Sequence, residues 1–347
     1  MREHVSLSAV LHAPRKLVLE ERPTPQPGRG EVLVEVDACA MCGSDIHLYE
    51  GHFIRAKFPV IPGHEFAGRV VALGPDVEDI ELNTKACIEN HVACGTCDYC
   101  KSGRENLCRG ARSIGFNVDG AYSQHVVAPA KCVIPLPEEI DDAMGAVMQT
   151  LGTAYHAVMT RARIEKGETV VIMGLGPVGL CALSIAKMAE ARAIVVDEVA
   201  DRLKVAHRMC ADESINISNA DPIEEVRELT NGHGADAVLE IVGGGQKKTI
   251  RQAIKMLRRG GRAVAVGSFE SEECPVPILE LQDQEKDLIG SRGHPNTFRV
   301  CIELVATGKI DVRPIITHIL PLEMVERGIQ LMRERQEGAI KIILAPQ

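Results

Sequence analysis

The stretch Thr169-Val170-Val171-Ile172-Met173-Gly174-Leu175-Gly176-Pro177-Val178-Gly179 decides the fold. An apolar, β-branched run leads straight into three glycines at the spacing G-x-G-x-x-G, and a helix-compatible pattern follows. By itself this spacing is a weak signal; at a strand-to-helix turn it reads as a dinucleotide fingerprint. The first glycine permits the tight turn. The second lets backbone approach a pyrophosphate, and the third lets helix and strand pack closely. Pro177 suits the first helical position, and the helix N-terminus attracts an anion.

Downstream, 193–197, 237–241 and 262–267 are further short apolar runs, separated by helix-compatible stretches at 200–211 and 221–230. Strands alternating with helices predict an α/β fold with a parallel, doubly wound sheet. Asp221-Pro222 marks a helix start, with aspartate as cap and proline first inside. Asp197 stands 18 residues beyond Gly179 at the predicted end of the next strand. There its carboxylate accepts hydrogen bonds from an adenosine ribose and repels a 2′-phosphate, so NAD is expected over NADP. Arg202, five residues on, is a cation that a 2′-phosphate would also attract. A solvated loop acid without a ligand is the plain alternative for Asp197.

Upstream of about Thr150 the texture is different. The runs 31–36 and 69–73 are β-rich and punctuated by turn dipeptides such as Pro27-Gly28 and Gly74-Pro75. The tail carries a helical pattern over 321–333 and a strand-like 340–344. Its Met and Leu stripes read as core packing.

Cys94, Cys97, Cys100 and Cys108 fall in one short loop with the spacing C-x2-C-x2-C-x7-C. Four thiolates so placed close a tetrahedron around zinc and leave no open position, which describes a structural site. An iron–sulfur cluster or four free thiols are the alternatives. Ferredoxin runs of this kind continue with Cys-Pro, whereas Arg109 follows Cys108 here. A second group, Cys42 to His47 with Gly63-His64-Glu65, offers a thiolate and an imidazole from separate strand ends. Joined by one more ligand, they leave zinc an open position, as catalytic zinc requires.

Composition bounds the rest. The chain has 347 residues, 45% hydrophobic and 25% charged, enough for two cores and ordinary for a globular protein. A net charge of −9 without basic runs argues against nucleic acid as the main partner. No signal-peptide pattern opens the sequence, and 170–186 is broken by three glycines and a proline, so a soluble cytoplasmic protein without a membrane span is expected. Twelve cysteines, four of them clustered, suggest metal in a reducing compartment.

Together these motifs, in this order, give a chain that resembles the zinc-containing medium-chain dehydrogenase/reductase family (the alcohol dehydrogenase superfamily). It is most similar to the branch of polyol, sugar and threonine dehydrogenases. The resemblance spans essentially the whole chain. It implies a GroES-like β-rich catalytic domain at 1–150 and 293–347, carrying the structural zinc loop 94–108, and a Rossmann NAD-binding domain at 151–292. It implies two zinc ions per chain, NAD as cofactor, and hydride transfer from a secondary alcohol such as a polyol, sugar, cyclitol or hydroxy amino acid. A homotetramer or homodimer is expected.

Carried over by motif, Cys42 and His64 are catalytic zinc ligands and Glu65 is a carboxylate that approaches the metal. Asp45 orients a ligand imidazole, Ser44 bonds the substrate hydroxyl, and His47 takes its proton onward. Thr153 and Val178 flank the nicotinamide, Val242 is a further cofactor contact, and Lys341 meets the pyrophosphate. Gln149 is a departure: relatives carry Cys, Glu or Asp at the third zinc ligand. Its amide oxygen ligates zinc, or it bonds a zinc-held water while Glu65 completes the sphere. Tyr49, Arg292 and His294 are expected to line the pocket, and Leu48 and Phe53 to line it or to sit in the core. Competing readings are an L-threonine 3-dehydrogenase specifically, a non-catalytic zinc- and nucleotide-binding member, a zinc-ribbon binding module, and a zinc-free enoyl reductase of the same fold.

Overall fold

The computed structural model describes residues 5–52, 56–267 and 273–346. By internal contacts the chain divides into two units. One comprises Met1–Gln149, Phe298–Ala306 and Ile316–Gln347; the other comprises Thr150–Thr297 and Thr307–Ile315. Phe53 lies outside the described residues.

The second unit is built on a six-stranded parallel sheet. Its strands lie in the order Glu213–Asn216, Arg192–Asp197, Thr169–Met173, Ala235–Glu240, Leu257–Ala265 and Asp287–Gly290. Numbered by the chain this order is 3-2-1-4-5-6, so the winding reverses beside Thr169–Met173. Ligands of doubly wound sheets bind at such a reversal, outside the carboxyl ends of the strands. The central strands are apolar throughout rather than alternating because helices cover both faces: Val170, Val171, Ile172 and Met173 are all buried. Val196, Val238, Ile250 and Ile254 continue that core. Helix Pro222–Leu229 starts as expected, Asp221 accepting a hydrogen bond from the Ile223 amide at 2.8 Å.

The first unit centres on strand Glu31–Ala40 in a seven-stranded sheet. That strand pairs antiparallel with Glu65–Leu73, with His125–Pro129 and with the returning C-terminal strand Lys341–Ala345. Two register pairs matter most. Ala40 lies opposite Glu65, and Ile343 lies opposite Ala40. They bring 41–42, 64–65 and 341 to one end of the sheet although up to 300 residues separate them. Val32, Val34, Val36, Phe66 and Leu344 fill the core beneath. Leu48 belongs to that core and is wholly buried.

The tail helix departs from its expected start. It runs Val325–Glu334, not from 321, because Ile316–Pro321 completes a strand and Leu322–Met324 forms a single tight turn before it. Among the described residues, no helix is long and apolar enough to cross a membrane.

Candidate metal centres and dinucleotide loop

Cys42 caps the short helix Gly43–Glu50, and the local sequence explains how. Asp45, three residues on, accepts the Cys42 amide at 2.9 Å, while the Cys42 side chain faces the Asp45 amide, a reciprocal cap. The same carboxylate stands 3.1 Å from His64 Nδ1 and accepts the Tyr122 hydroxyl at 3.0 Å. Asp45 is therefore fully committed. Burial works to raise its pKa, but the His64 charge and these three bonds hold it below the ordinary carboxylate value. For His64 burial works downward, yet the Asp45 charge and hydrogen bond, with Cys42, bring the imidazole well above its usual value.

Because Asp45 engages Nδ1, His64 presents Nε2 to the other side. Ser44 Oγ lies 3.3 Å from that nitrogen and Glu65 Oε1 lies 3.8 Å from it. One ligand atom each from Cys42, His64 and Glu65 falls within a mutual 4.8 Å. A thiolate and an oriented imidazole at this spacing suit a tetrahedral zinc with room for a further ligand. The Phe116 ring packs on His64 with centroids 4.6 Å apart. Tyr122 and Phe116 carried no signal in the sequence, since neither belongs to a periodic pattern or a ligand motif.

Lys341, expected at a pyrophosphate, is 1% exposed, with Nζ 2.6 Å from Glu65 Oε2 and 3.2 Å from the Met41 carbonyl oxygen. The cause is sheet register: Met41 N bonds the Ile342 carbonyl at 2.8 Å, which sets residue 341 beside the metal-ligand cluster. The ammonium places a positive charge directly against this buried carboxylate.

Gln149 is half-buried, the second residue of helix Met148–Tyr155, and Thr153 follows one turn later on the same face. His47 sits three residues beyond Ser44 on its helix, half-buried, its ring centroid 6.3 Å from that of His52. Tyr49 packs partly against the core, Arg292 is exposed, and His294 is buried.

The loop 94–108 gathers its four cysteines as the spacing requires, their sulfurs mutually within 4.8 Å. Cys97 Sγ lies 3.5 Å and Cys94 Sγ 3.9 Å from Cys100 Sγ. Sulfurs about 2.3 Å from a tetrahedral zinc stand roughly 3.8 Å apart, so the donors fit. All four are free thiols rather than disulfides. Hydrogen bonds from the Thr96 and Cys97 amides pull the Cys94 thiol down to about 5, whereas burial and the Cys97 side chain push Cys100 up to about 12.

In the second unit the glycines divide their work. Gly174 has φ 89°, a left-handed conformation that side chains resist. A Cβ at Gly179 would stand 1.9 Å from the Gly174 carbonyl oxygen, so helix and strand could not pack. At Gly176 a Cβ would touch no protein atom and φ is −65°. Nothing in the chain's own packing demands glycine there. Helix Pro177–Met188 begins at that residue with Pro177 and the half-buried Val178 in its first turn, no side-chain cap and no acid, so its first amides suit an anion. Asp197 is 7% exposed: Oδ2 accepts the Leu175 amide at 2.6 Å and Oδ1 the Val199 amide at 2.8 Å. It thus ties the glycine loop to the neighbouring strand end, with Arg202 3.9 Å away. Val242, half-buried, leaves its strand beside Gly174, where an added Cβ would stand 3.1 Å from the Val242 nitrogen.

Comparison with known proteins agrees with both halves. Residues 28–138 match the alcohol dehydrogenase GroES-like domain, and residues 177–307 match the zinc-binding dehydrogenase domain. The sorbitol dehydrogenase of Bacillus subtilis is 32% identical over 98% of this chain and 97% of its own. The L-threonine 3-dehydrogenase of the same species is 35% identical over 95% of each. Among solved structures, a Sinorhizobium meliloti protein described as a zinc-binding dehydrogenase bound to NADP superposes with a TM-score of 0.93 at 29% identity, covering 99% of this chain and 100% of that one. An Escherichia coli alcohol dehydrogenase complexed with NADH gives 0.91 at 29% identity, covering 98% and 99%. A chain whose GroES-like half gathers Cys42, His64 and Glu65, and whose other half is a glycine-looped parallel sheet, belongs to the zinc-binding alcohol dehydrogenase family.

Proposed function

We propose that this protein oxidises the secondary hydroxyl of a polyol, sugar, cyclitol or hydroxy amino acid, with NAD taking the hydride. The observation that carries this reading is the convergence of Cys42, His64 and Glu65 within 4.8 Å, with His64 oriented by Asp45 at 3.1 Å.

When bound, zinc supplies Lewis acidity that makes a hydroxyl easier to deprotonate, and NAD supplies the two-electron acceptor. The chain's own residues do the rest. Cys42 Sγ and His64 Nε2 hold the metal, with Gln149 as the third ligand and Lys341 balancing the charge of Glu65. Asp45 keeps the His64 tautomer and ring plane fixed, so that Nε2 remains a donor of electrons. Ser44, beside that nitrogen, hydrogen-bonds the substrate hydroxyl and passes its proton toward His47 on the same helix. Gly174, Gly176 and Gly179 cradle the dinucleotide phosphates. Asp197 fixes that loop and disfavours a 2′-phosphate; Arg202, Thr153, Val178 and Val242 complete the cofactor contacts. The oxidised carbon becomes a carbonyl, releasing one hydride and one proton. Cys94, Cys97, Cys100 and Cys108 hold a second zinc that fixes their loop. We place the protein in the cytoplasm, where free thiols persist, as a homodimer or homotetramer.

The test is a screen for NADH formation over polyols, aldoses, cyclitols and L-threonine, with Cys42→Ser and His64→Ala as controls. We expect turnover on at least one class, lost in both variants while circular dichroism shows them folded. Activity near wild type in Cys42→Ser removes the catalytic-metal reading. Strong preference for L-threonine over every polyol makes the protein a threonine dehydrogenase.

A further inference from the structure

Strands put apolar residues on their buried face, and strand Val5–Ala13 breaks that rule. Ser6 and Ser8 are 1% and 2% exposed, while Leu7 between them is only half-buried. Ser123, 1% exposed, joins them: its Oγ lies 2.7 Å from Ser8 Oγ and 3.3 Å from Ser6 Oγ. His125 Nδ1 stands 3.3 Å from Ser6 Oγ. Burying three hydroxyls side by side costs stability unless each finds partners. Here they partner one another, and a serine oxygen that donates once and accepts twice still has capacity to spare. Such a lapse in patterning points to function rather than packing.

All four residues line a cavity of about 460 Å³ within the first unit. This volume is that of a small-molecule site. Val92, Ile114, Val118 and Val127 supply apolar wall, and none of the metal-ligating cysteines or His64 lines it. Four charged residues also line the cavity: Arg22, Arg112, Glu31 and Asp119. Both carboxylates are already engaged. Glu31 Oε2 accepts the Gly28 amide and Asp119 Oδ1 the Ile61 amide, each at 3.0 Å. Arg22 reaches Asp119 only at 4.0 Å, and Arg112 is exposed and meets no carboxylate among the described residues. The four charges sum to zero, and the Arg112 side chain is the one among them with no hydrogen bond or ion pair among the described residues.

We propose that the cavity binds a small organic anion, a carboxylate or phosphate ester with a short apolar body, paired with Arg112 and Arg22 and hydrogen-bonded by Ser8 and His125. The apolar wall takes the body of the ligand. The planar guanidinium groups match the oxygens of either anion.

Isothermal titration of the zinc-loaded full chain with butanoate, and separately with inorganic phosphate, at constant ionic strength tests this. The expected result is one saturable site per chain for at least one anion, the tighter arm separating carboxylate from phosphate. Arg112→Ala and Ser8→Leu should each weaken it tenfold or more. No saturable binding of either anion to the wild type overturns the proposal. So does equal affinity in the wild type and both variants, which would put the anion at a metal centre or the dinucleotide loop. Should Ser8→Leu fail to fold, the exposed Arg112→Ala decides alone.

Discussion

Asp45 Oδ1 lies 3.1 Å from His64 Nδ1 while Asp45 Oδ2 accepts both the Tyr122 hydroxyl and the Cys42 amide. One buried carboxylate thereby positions both a thiol ligand and an imidazole ligand. Asp45→Asn keeps the shape but replaces one acceptor oxygen with a donor, leaving a neighbour unsatisfied. Outer partners of zinc ligands contribute about 10–100-fold in metal affinity. We expect a loss of that size at the catalytic zinc, read by competition with a chelator, with the four-cysteine zinc retained. Equal zinc affinity in the variant would show that Asp45 is only a helix cap.

Lys341 and Glu65 form an ion pair in which each side chain is 1% exposed. Removing one member of such a pair costs about 3–5 kcal/mol, because the other charge stays buried. Lys341→Met should destabilise the first unit by that order in urea unfolding. Adding Glu65→Gln should recover most of it. If the single variant unfolds like wild type, the carboxylate has another compensating partner.

Asp197 holds the glycine loop through the Leu175 amide at 2.6 Å. Asp197→Ala removes that tie and the expected ribose contact together. The Michaelis constant for NAD should rise tenfold or more, and turnover with NADP should change far less. Steady-state kinetics with both dinucleotides checks this; parallel losses for the two would show that the carboxylate acts through the loop alone.

Glu240 is wholly buried at the end of strand Ala235–Glu240, its Oε1 accepting the Thr249 hydroxyl at 2.8 Å. Burial raises its pKa from 4.5 to about 7 against the smaller, opposing effect of that bond. A carboxyl raised on folding binds its proton more tightly in the native state. Stability therefore falls as pH climbs from 4.5 to about 7, and the full penalty applies above that. The shift amounts to about 3 kcal/mol. Glu240→Gln abolishes the titration, so its stability relative to wild type should improve by roughly that amount between pH 5 and pH 8. Urea unfolding at the two pH values measures it, and a gap that stays constant contradicts the assignment.

The parallel sheet was legible because its strands are buried on both faces and their apolar runs are short and bounded by glycine or helix caps. The strand Thr169–Met173 and the helix opening at Pro222 stand where residue pattern puts them. The tail helix was misread by four residues at its start, since Leu322 and Val325 are both buried and a tight turn keeps much the same apolar spacing as a helix. Tyr122 was invisible because its role is a single hydroxyl contact across 77 residues of chain.

Local chemistry fixed what sequence alone determined: which residues make a phosphate-binding turn, and which four thiols, close along the chain, share an ion. Those properties depend on neighbours a few positions apart, where spacing and geometry are nearly the same thing. Tertiary structure alone decided the partner of Lys341, the placement of Cys42 against His64, and the serine-lined cavity. Each depends on strand register between distant segments, and hydrogen-bond pairing across a sheet leaves no periodic mark in either partner's sequence.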